Sequence, residues 1–449
     1  MTNPAQLPTS VMNCSLRRTV FALANMTQRS LARHLAIKVT GTATLAIVFE
    51  LLLVLTPAAQ SQTLDLIHKF ENADGAHPNA GLTIDAQGRL YGTTAQGGAS
   101  NFGTVFRLTH VGSGWVENVL YEFRGGTDGM TPLSRVIFGP DGTLYGTTVQ
   151  GGDPSCGCGV VYRLQPPPTT CKTPLCPWTE SVVHTFEGTA GGNDGQNPMG
   201  DLAFDSAGNI YGTASAGGQY NYGMAYKLTR TNGGWTESNL HNFTIFEQYP
   251  YSGVTFDANG NLYGTTFTAN PYFGEVYELS PSGGGWTEQV LHQFQQSDGG
   301  DPYAGLILDA AGNLYGATSY YGANMGGTAF ELSPSNGGWS FSVLYNFVGS
   351  NYGDNGPRAN LAFDQSGNLY GTTYTSGPDH LGSIFELISG GGSWTYTALY
   401  VFTDLLAAGK PISNVVFDSA GNLYGTTSYG GNPYGYCMYG CGTVWEIAP

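Results

Sequence analysis

Four aspartates, Asp74, Asp128, Asp194 and Asp298, each open an Asp-Gly-x-x-Pro element, and Asp354 stands in a shifted version of it. The loops around them are rich in aromatic residues, among them Tyr220, Tyr222, Tyr272, Phe273, Tyr320, Tyr321, Tyr434 and Tyr436. A carboxylate accepts hydrogen bonds from sugar hydroxyls, and a tyrosine presents a flat apolar body with a polar tip. Together they suit a sugar or a protein partner. The same residues also fit a plainer role, since glycine-rich loops need aromatic plugs and Asp-Gly is turn chemistry. Calcium is compatible with the acids, but their spacing matches no EF-hand loop, and no other metal or cofactor is expected.

Catalysis would need a few positioned groups that break the repeat. Arg135, Asp201, Asn360 and Asn414 do so at the starts of equivalent strands, but they are scattered over four repeats, and no one-off acidic cluster accompanies them. His68, His184, His241 and His292 stand two residues before a phenylalanine, where Tyr121, Tyr345 and Tyr400 serve in other copies. Exchange with tyrosine argues for packing rather than ligation.

The elements that must position these residues are repeats. The sequence GNLYGTT is complete at residues 260–266, 367–373 and 421–427, and its tyrosine recurs at Tyr91, Tyr145, Tyr211, Tyr263, Tyr315, Tyr370 and Tyr424. The spacings are 54, 66, 52, 52, 55 and 54 residues, the longest explained by an insert from Pro166 to Pro177. Each copy holds four runs of period-two alternation bounded by turn residues, in the order Gly-Val-Thr-Phe-Asp (A), GNLYGTT (B), Gly-Glu-Val-Tyr-Glu-Leu (C) and a run opened by tryptophan (D). The Asp-x-x-Gly-Asn link between A and B marks Asp85, Asp205, Asp257, Asp309, Asp364 and Asp418 as turn caps rather than catalytic carboxylates.

The tryptophans stand eight residues before the phenylalanine that ends strand D, and eight residues before Phe70 is Gln62. The mature chain thus starts inside a D strand and ends after a C strand. Seven copies are complete if the first strand joins the last unit, which is how a closed β-propeller removes its open sheet edge. The expected fold is all-β, a seven-bladed propeller of four-stranded antiparallel blades spanning residues 62–449. An open solenoid would carry capping repeats, and none is visible. With this phasing the B–C and D–A loops share one face.

Residues 1–61 read as an export signal: five basic residues, an apolar run from Ala43 to Leu55 broken by Glu50, then Thr56-Pro57-Ala58-Ala59-Gln60-Ser61. A retained anchor is the alternative, but the run is short of the ~20 apolar residues of a span. Removing five basic residues and one acid from the 16 and 32 of the whole chain leaves 11 and 31, a net charge of −20. That balance excludes nucleic acid and anionic lipid as partners, and no stable membrane span is expected after cleavage. The protein is expected to be a monomer, secreted, periplasmic or at the cell surface. Cys156, Cys158, Cys171, Cys176, Cys437 and Cys441 remain, an even set that in an exported chain reads as disulfides; their spacing fits no familiar zinc signature. Cys171–Cys176 and Cys437–Cys441 are the favoured pairs, leaving Cys156 with Cys158.

GNLYGTT, followed by Gly-Gly, Gly-Thr-Val-Phe and Asp-Gly-x-x-Pro, resembles the GloVer tandem-repeat family across essentially residues 62–449. The resemblance implies an exported bacterial repeat protein, often with one of several C-terminal anchors. The A–B pair is also similar, more loosely, to NHL and gluconolactonase-type propellers, whose catalytic residues have no counterparts here. The leading expectation is a binding module for polysaccharide or a surface protein on the B–C/D–A face. The alternatives are a hydrolase or lyase acting on sugars or lactones in the central channel, and a structural or adhesive repeat without a small ligand.

Overall fold

Strand B forms in every repeat, at Leu90–Thr94, Leu144–Thr148, Ile210–Ala214, Leu262–Thr266, Leu314–Ala317, Leu369–Thr373 and Leu423–Thr427, and it is buried almost throughout. This is a computed structural model, and it describes residues 63–168, 177–191, 193–349, 356–432 and 436–448. The leader, Cys171, Cys176, Asp354 and Tyr434 lie outside the described residues.

Around each B strand stands one antiparallel four-stranded sheet, and the seven sheets are arranged as the blades of a propeller, numbered I to VII here. Blade IV shows the order: A is Thr255–Phe256, B is Leu262–Thr266, C is Glu275–Ser282 and D is Gly285–Gln293. In blade VII strand D comes from the other end of the chain. Leu64–Lys69 pairs with Thr443–Ile447, with Leu64 opposite Ile447 and Lys69 opposite Thr443, so the ring closes on its first strand.

The motif residues explain why the blades stack. Each B-strand tyrosine points at the next blade, as Tyr211 does at Phe256 (4.8 Å between ring centroids) and Trp286 (6.2 Å), both edge-on. Its hydroxyl bonds the turn aspartate of its own blade, Tyr211 to Asp205 Oδ2 at 3.1 Å. In blade II, where Gly139 replaces that aspartate, Asp141 takes over and accepts from Tyr145 at 3.2 Å. The leucine of the motif is also buried, facing the other side of the sheet. A Cβ at Gly264 would collide with the ring of Tyr277 on strand C, so that position requires glycine. In five blades the first threonine donates across the blade boundary, as Thr265 does to Ala304 O at 2.9 Å and, at the closure, Thr426 to Pro78 O at 2.7 Å.

Strand D carries a bulge that decides which neighbour each side chain meets. In blade IV His292 faces Val276 and Val290 faces Tyr277, leaving Leu291 as an extra residue. Strict alternation would put Glu288 and His292 on one face; the extra residue turns them to opposite faces. Glu288 therefore looks toward blade III and His292 toward blade V. The pairs Cys156–Cys158 and Cys437–Cys441 are both formed.

Candidate functional site

The D–A and B–C loops do share a face, and they are tied to each other. Short bridges join Ala76 to Gln96, Met130 to Gln150, Gln248 to Thr268 and Gly300 to Tyr320. The residue before the loop proline is left-handed although it is not glycine: His77, Thr131, Asn197, Tyr249, Asp301 and Lys410 have φ between 54° and 60°. Such a conformation is uncommon outside glycine and needs compensation. Here it comes from backbone bonds to two blades at once. The Tyr249 N–H donates to Tyr222 O at 3.0 Å, and Tyr249 O accepts from Phe267 N at 3.1 Å.

This kink delivers the residue after the proline to the mouth of the central channel. That ring reads Asn79, Leu133, Met199, Tyr251, Tyr303, Arg358 and Ile412, different in almost every blade, around a cavity of about 200 Å³. One side of the mouth is an aromatic ladder. Tyr249 and Tyr251 lie 6.2 Å apart and nearly parallel, Tyr251 and Tyr303 5.4 Å apart at 9°. Arg358 continues it, with its guanidinium 5.0 Å from the Tyr303 ring and 4.1 Å from the Tyr374 ring. Lys410 stands 4.9 Å over Tyr374 and donates to His380 O at 2.7 Å. Burial, and then the neighbouring Arg358, lower the pKa of Lys410.

The strand-start residues expected to line the channel are brought together there, because strand A is innermost. Asp201, Asn360 and Asn414 border the cavity. Each is engaged in joining blades: Asp201 accepts from the Arg135 N–H at 2.8 Å and from Arg135 Nε at 3.2 Å, and Asn360 Oδ1 accepts from Gly305 N at 2.7 Å. The Asn414 amide occupies the space a side chain at Gly81 would need. With both oxygens on Arg135, Asp201 is held as an ion pair rather than offered as a base.

The expected aromatic loop residues lie farther out and form separate groups. Phe273 packs on Tyr321 and Tyr320 on Tyr321, each at 4.4 Å, while Tyr222 meets Tyr249 at 6.3 Å. Tyr220 and Tyr272 are exposed, and Tyr436 is 90% exposed. The Asp-Gly acids face the outer strand instead of the channel. Asp74 caps its loop through Glu71 N (2.8 Å), Asp298 through Gln295 N (2.7 Å) and Asp194 through Glu187 N (2.7 Å).

The chain matches the sequence profile of the Gloeobacter/Verrucomicrobia repeat over residues 38–272 and 269–449. It belongs to that repeat family. No match was found among curated proteins. Among solved structures, an ulvan lyase described as a new family of polysaccharide lyase, PL25, is similar at 12% identity and a TM-score of 0.51, covering 85% of this chain and 95% of its own. A candidate 6-phosphogluconolactonase from Bacteroides uniformis is similar at 13% identity, a TM-score of 0.46, 71% of this chain and 84% of its own. A Dyadobacter fermentans protein of unknown function gives 12% identity, a TM-score of 0.44 and coverages of 86% and 97%. At such identities the likeness concerns the fold.

In this Gloeobacter/Verrucomicrobia repeat chain the histidines are not simple packing. His68 Nε2 lies 3.0 Å from Asp74 Oδ2, His241 Nε2 3.2 Å from Glu247 Oε1, and His292 Nε2 3.3 Å from Asp298 Oδ2. In blade I, where tyrosine replaces histidine, the contact survives, Tyr121 OH donating to Asp128 Oδ2 at 2.9 Å. Facing these pairs from the next blade stands a glutamate that the sequence did not single out, two residues after the tryptophan: Glu117, Glu180, Glu237 and Glu288. Burial first, with Asp74, Asp128, Asp194 and Glu247 respectively adding repulsion, pushes each carboxyl up to about 7. In blades V and VI an aromatic ring takes the glutamate's place. Phe341 stacks on His292 at 3.7 Å and 3°, and Tyr396 on Tyr345 at 4.8 Å and 10°.

Proposed function

We propose that this is an exported propeller that binds polysaccharide at the channel mouth on the D–A/B–C face. The aromatic ladder of Tyr249, Tyr251 and Tyr303, continued by Arg358 and Tyr374, carries the reading. Tyrosine faces and edges pack on sugar rings, and Arg358 and Lys410 suit acidic substituents on them. The scaffold supports it too, because the kinked D–A loops are fixed by backbone bonds while their projecting residues vary from blade to blade, as expected of recognition loops on a rigid frame. Tyr272, Phe273, Tyr320 and Tyr321 extend the same face outward for a chain longer than the cavity.

The test is retention of residues 62–449 on neutral, uronic and sulfated polysaccharides. Tyr251→Ala and Tyr303→Ala should each weaken binding by roughly tenfold, in line with the loss of one stacked aromatic contact, without changing the circular dichroism spectrum. Retention by no glycan, or retention indifferent to both changes, would remove the proposal. Turnover of a sugar or lactone that disappears in Asp201→Ala would replace it with the channel enzyme.

A further inference from the structure

Blade IV departs from the other blades at one buried position. The first residue of strand C is Thr104 in blade I and Thr443 in blade VII, and Thr328 fills the matching place in blade V. Each pairs with the threonine that ends the GNLYGTT motif or its counterpart, at 2.8 Å (Thr94···Thr104), 3.0 Å (Thr318···Thr328) and 2.7 Å (Thr427···Thr443). In blade IV that residue is Glu275. It is 1% exposed, and Thr266 Oγ1 is left without a hydrogen-bond partner. One carboxylate oxygen accepts from Gln293 Nε2 at 3.5 Å, whereas Oε1 is buried with no donor. A carboxyl so placed is costly unless something positive meets it.

What it meets is a second departure. The loop leading into blade IV lacks Asp-Gly and supplies Glu247 instead, 9% exposed and 3.2 Å from His241 Nε2. Glu288 approaches from strand D, and ligand atoms of His241, Glu247 and Glu288 all lie within 4.8 Å of one another. The Glu275 carboxyl lies within hydrogen-bonding reach of Glu247, and burial, then Glu247 and Glu288, push it up to about 8. Glu288 Oε1 is likewise buried without a donor. Glu247 and Glu288 therefore converge on the His241 imidazole, and Glu275 adjoins them through Glu247.

We infer that His241, Glu247, Glu275 and Glu288 form a binding site for one divalent first-row transition ion, of the zinc or manganese type. Imidazole nitrogen with carboxylate oxygens suits these ions, whereas calcium takes oxygen ligands alone. The cation would link the outer strand of blade III to strands C and D of blade IV. The related group in blades II and III, His184, Asp194 and Glu237, has Met224 where blade IV has Glu275, and so lacks the fourth ligand.

The experiment uses tag-free residues 62–449, stripped with chelator and titrated separately with Zn²⁺, Mn²⁺ and Ca²⁺ at pH 7.5, read by calorimetry, elemental analysis and melting temperature. The expected result is one Zn²⁺ or Mn²⁺ bound at micromolar or lower concentration, a raised melting temperature, and at least tenfold weaker Ca²⁺ binding. Glu275→Thr, which places there the residue of blades I, V and VII, and Glu275→Gln should both remove that ion, while Glu117→Gln keeps it. Uptake of no transition ion below about 1 mM, unchanged uptake in both Glu275 variants, or Ca²⁺ bound as tightly as Zn²⁺ and Mn²⁺, would overturn the site. A failure here leaves glycan retention at the channel mouth untouched, because the two regions share no residue.

Discussion

Replacing Glu117 with phenylalanine should stabilise the protein, and by an amount that depends on pH. Glu117 faces His68 and Asp74 across the boundary between blades VII and I, where Phe341 faces His292 and Asp298 between blades IV and V. Glu117 titrates at about 7 instead of 4.5, because of burial, eased by His68 and worsened by Asp74. That difference corresponds to ~3.4 kcal/mol of unfavourable burial once the carboxyl is ionised. The side chain remains partly solvated, so roughly half of this, ~1.5 kcal/mol, survives screening. A phenylalanine stacked on His68 in the manner of Phe341 contributes about 0.5–1.5 kcal/mol more. The sign follows from the raised value. Below about 4.5 Glu117 is protonated in both folded and unfolded states and costs little. As pH rises the unfolded state gives up its proton first, and the penalty grows until about 7. Glu117→Phe should therefore gain about 1 kcal/mol at pH 4.5 and about 2–3 kcal/mol at pH 7.5, read from urea unfolding of both proteins at both pH values. Groups common to the two cancel in the difference. An equal gain at both pH values, or a loss at pH 7.5, would refute the assignment of Glu117 as a carboxyl buried against Asp74.

Phe70→Ala should cost about 3–5 kcal/mol, since Phe70 is fully buried where the first strand meets blades VII and I, and Phe294→Ala in blade IV should cost a similar amount if the closure is as well packed as an internal boundary. Asp257→Ala removes the acceptor of the Asn259 and Asn261 N–H groups and of the Tyr263 hydroxyl, at a cost of about 1–3 kcal/mol in chemical denaturation. Burial alone would raise the Asp257 pKa, but the bonds from Asn261 and Asn259 outweigh it and lower it, so this contribution is present at neutral pH and fades as pH falls below the ordinary carboxylate range. Gly264→Ala should destabilise by about 1–3 kcal/mol through the clash with Tyr277, visible as an earlier urea midpoint.

The blades were legible from the sequence because several requirements coincide in each copy. Alternation set the strands, Asp-x-x-Gly-Asn the turn, and the eight-residue offset from Phe70 the missing outer strand, which pairs with Thr443–Ile447 as expected. The contacts between blades were less legible. His68 and Tyr121 looked interchangeable and hence apolar in role, yet what they share is the ability to reach an acid from the same position. Glu117 and Phe341 occupy equivalent positions and face equivalent neighbours, but alternation predicts the wrong neighbour unless the bulge at Leu120 or Leu344 is known. Asp201 and Asn360 looked scattered along the chain because strand A of each blade contributes one residue to the same channel. Glu275 had a visible signal, a glutamate where the other copies have Thr, Ser, Val or Met, but its meaning depended on Glu247 and Glu288 arriving from a loop and another strand.

The strand that closes the ring also sets an order of events. Leu64–Lys69 is synthesised before every other strand of the ring and its partner Thr443–Ile447 after all of them, so the last sheet cannot form until the whole ring has been made. Until then Leu64 and Leu66 have no blade to enter, and blades I and VII each lack a neighbour. Such a long-range pairing carries a large loop-closure entropy, so closing the ring is slower than forming the hairpins within each blade.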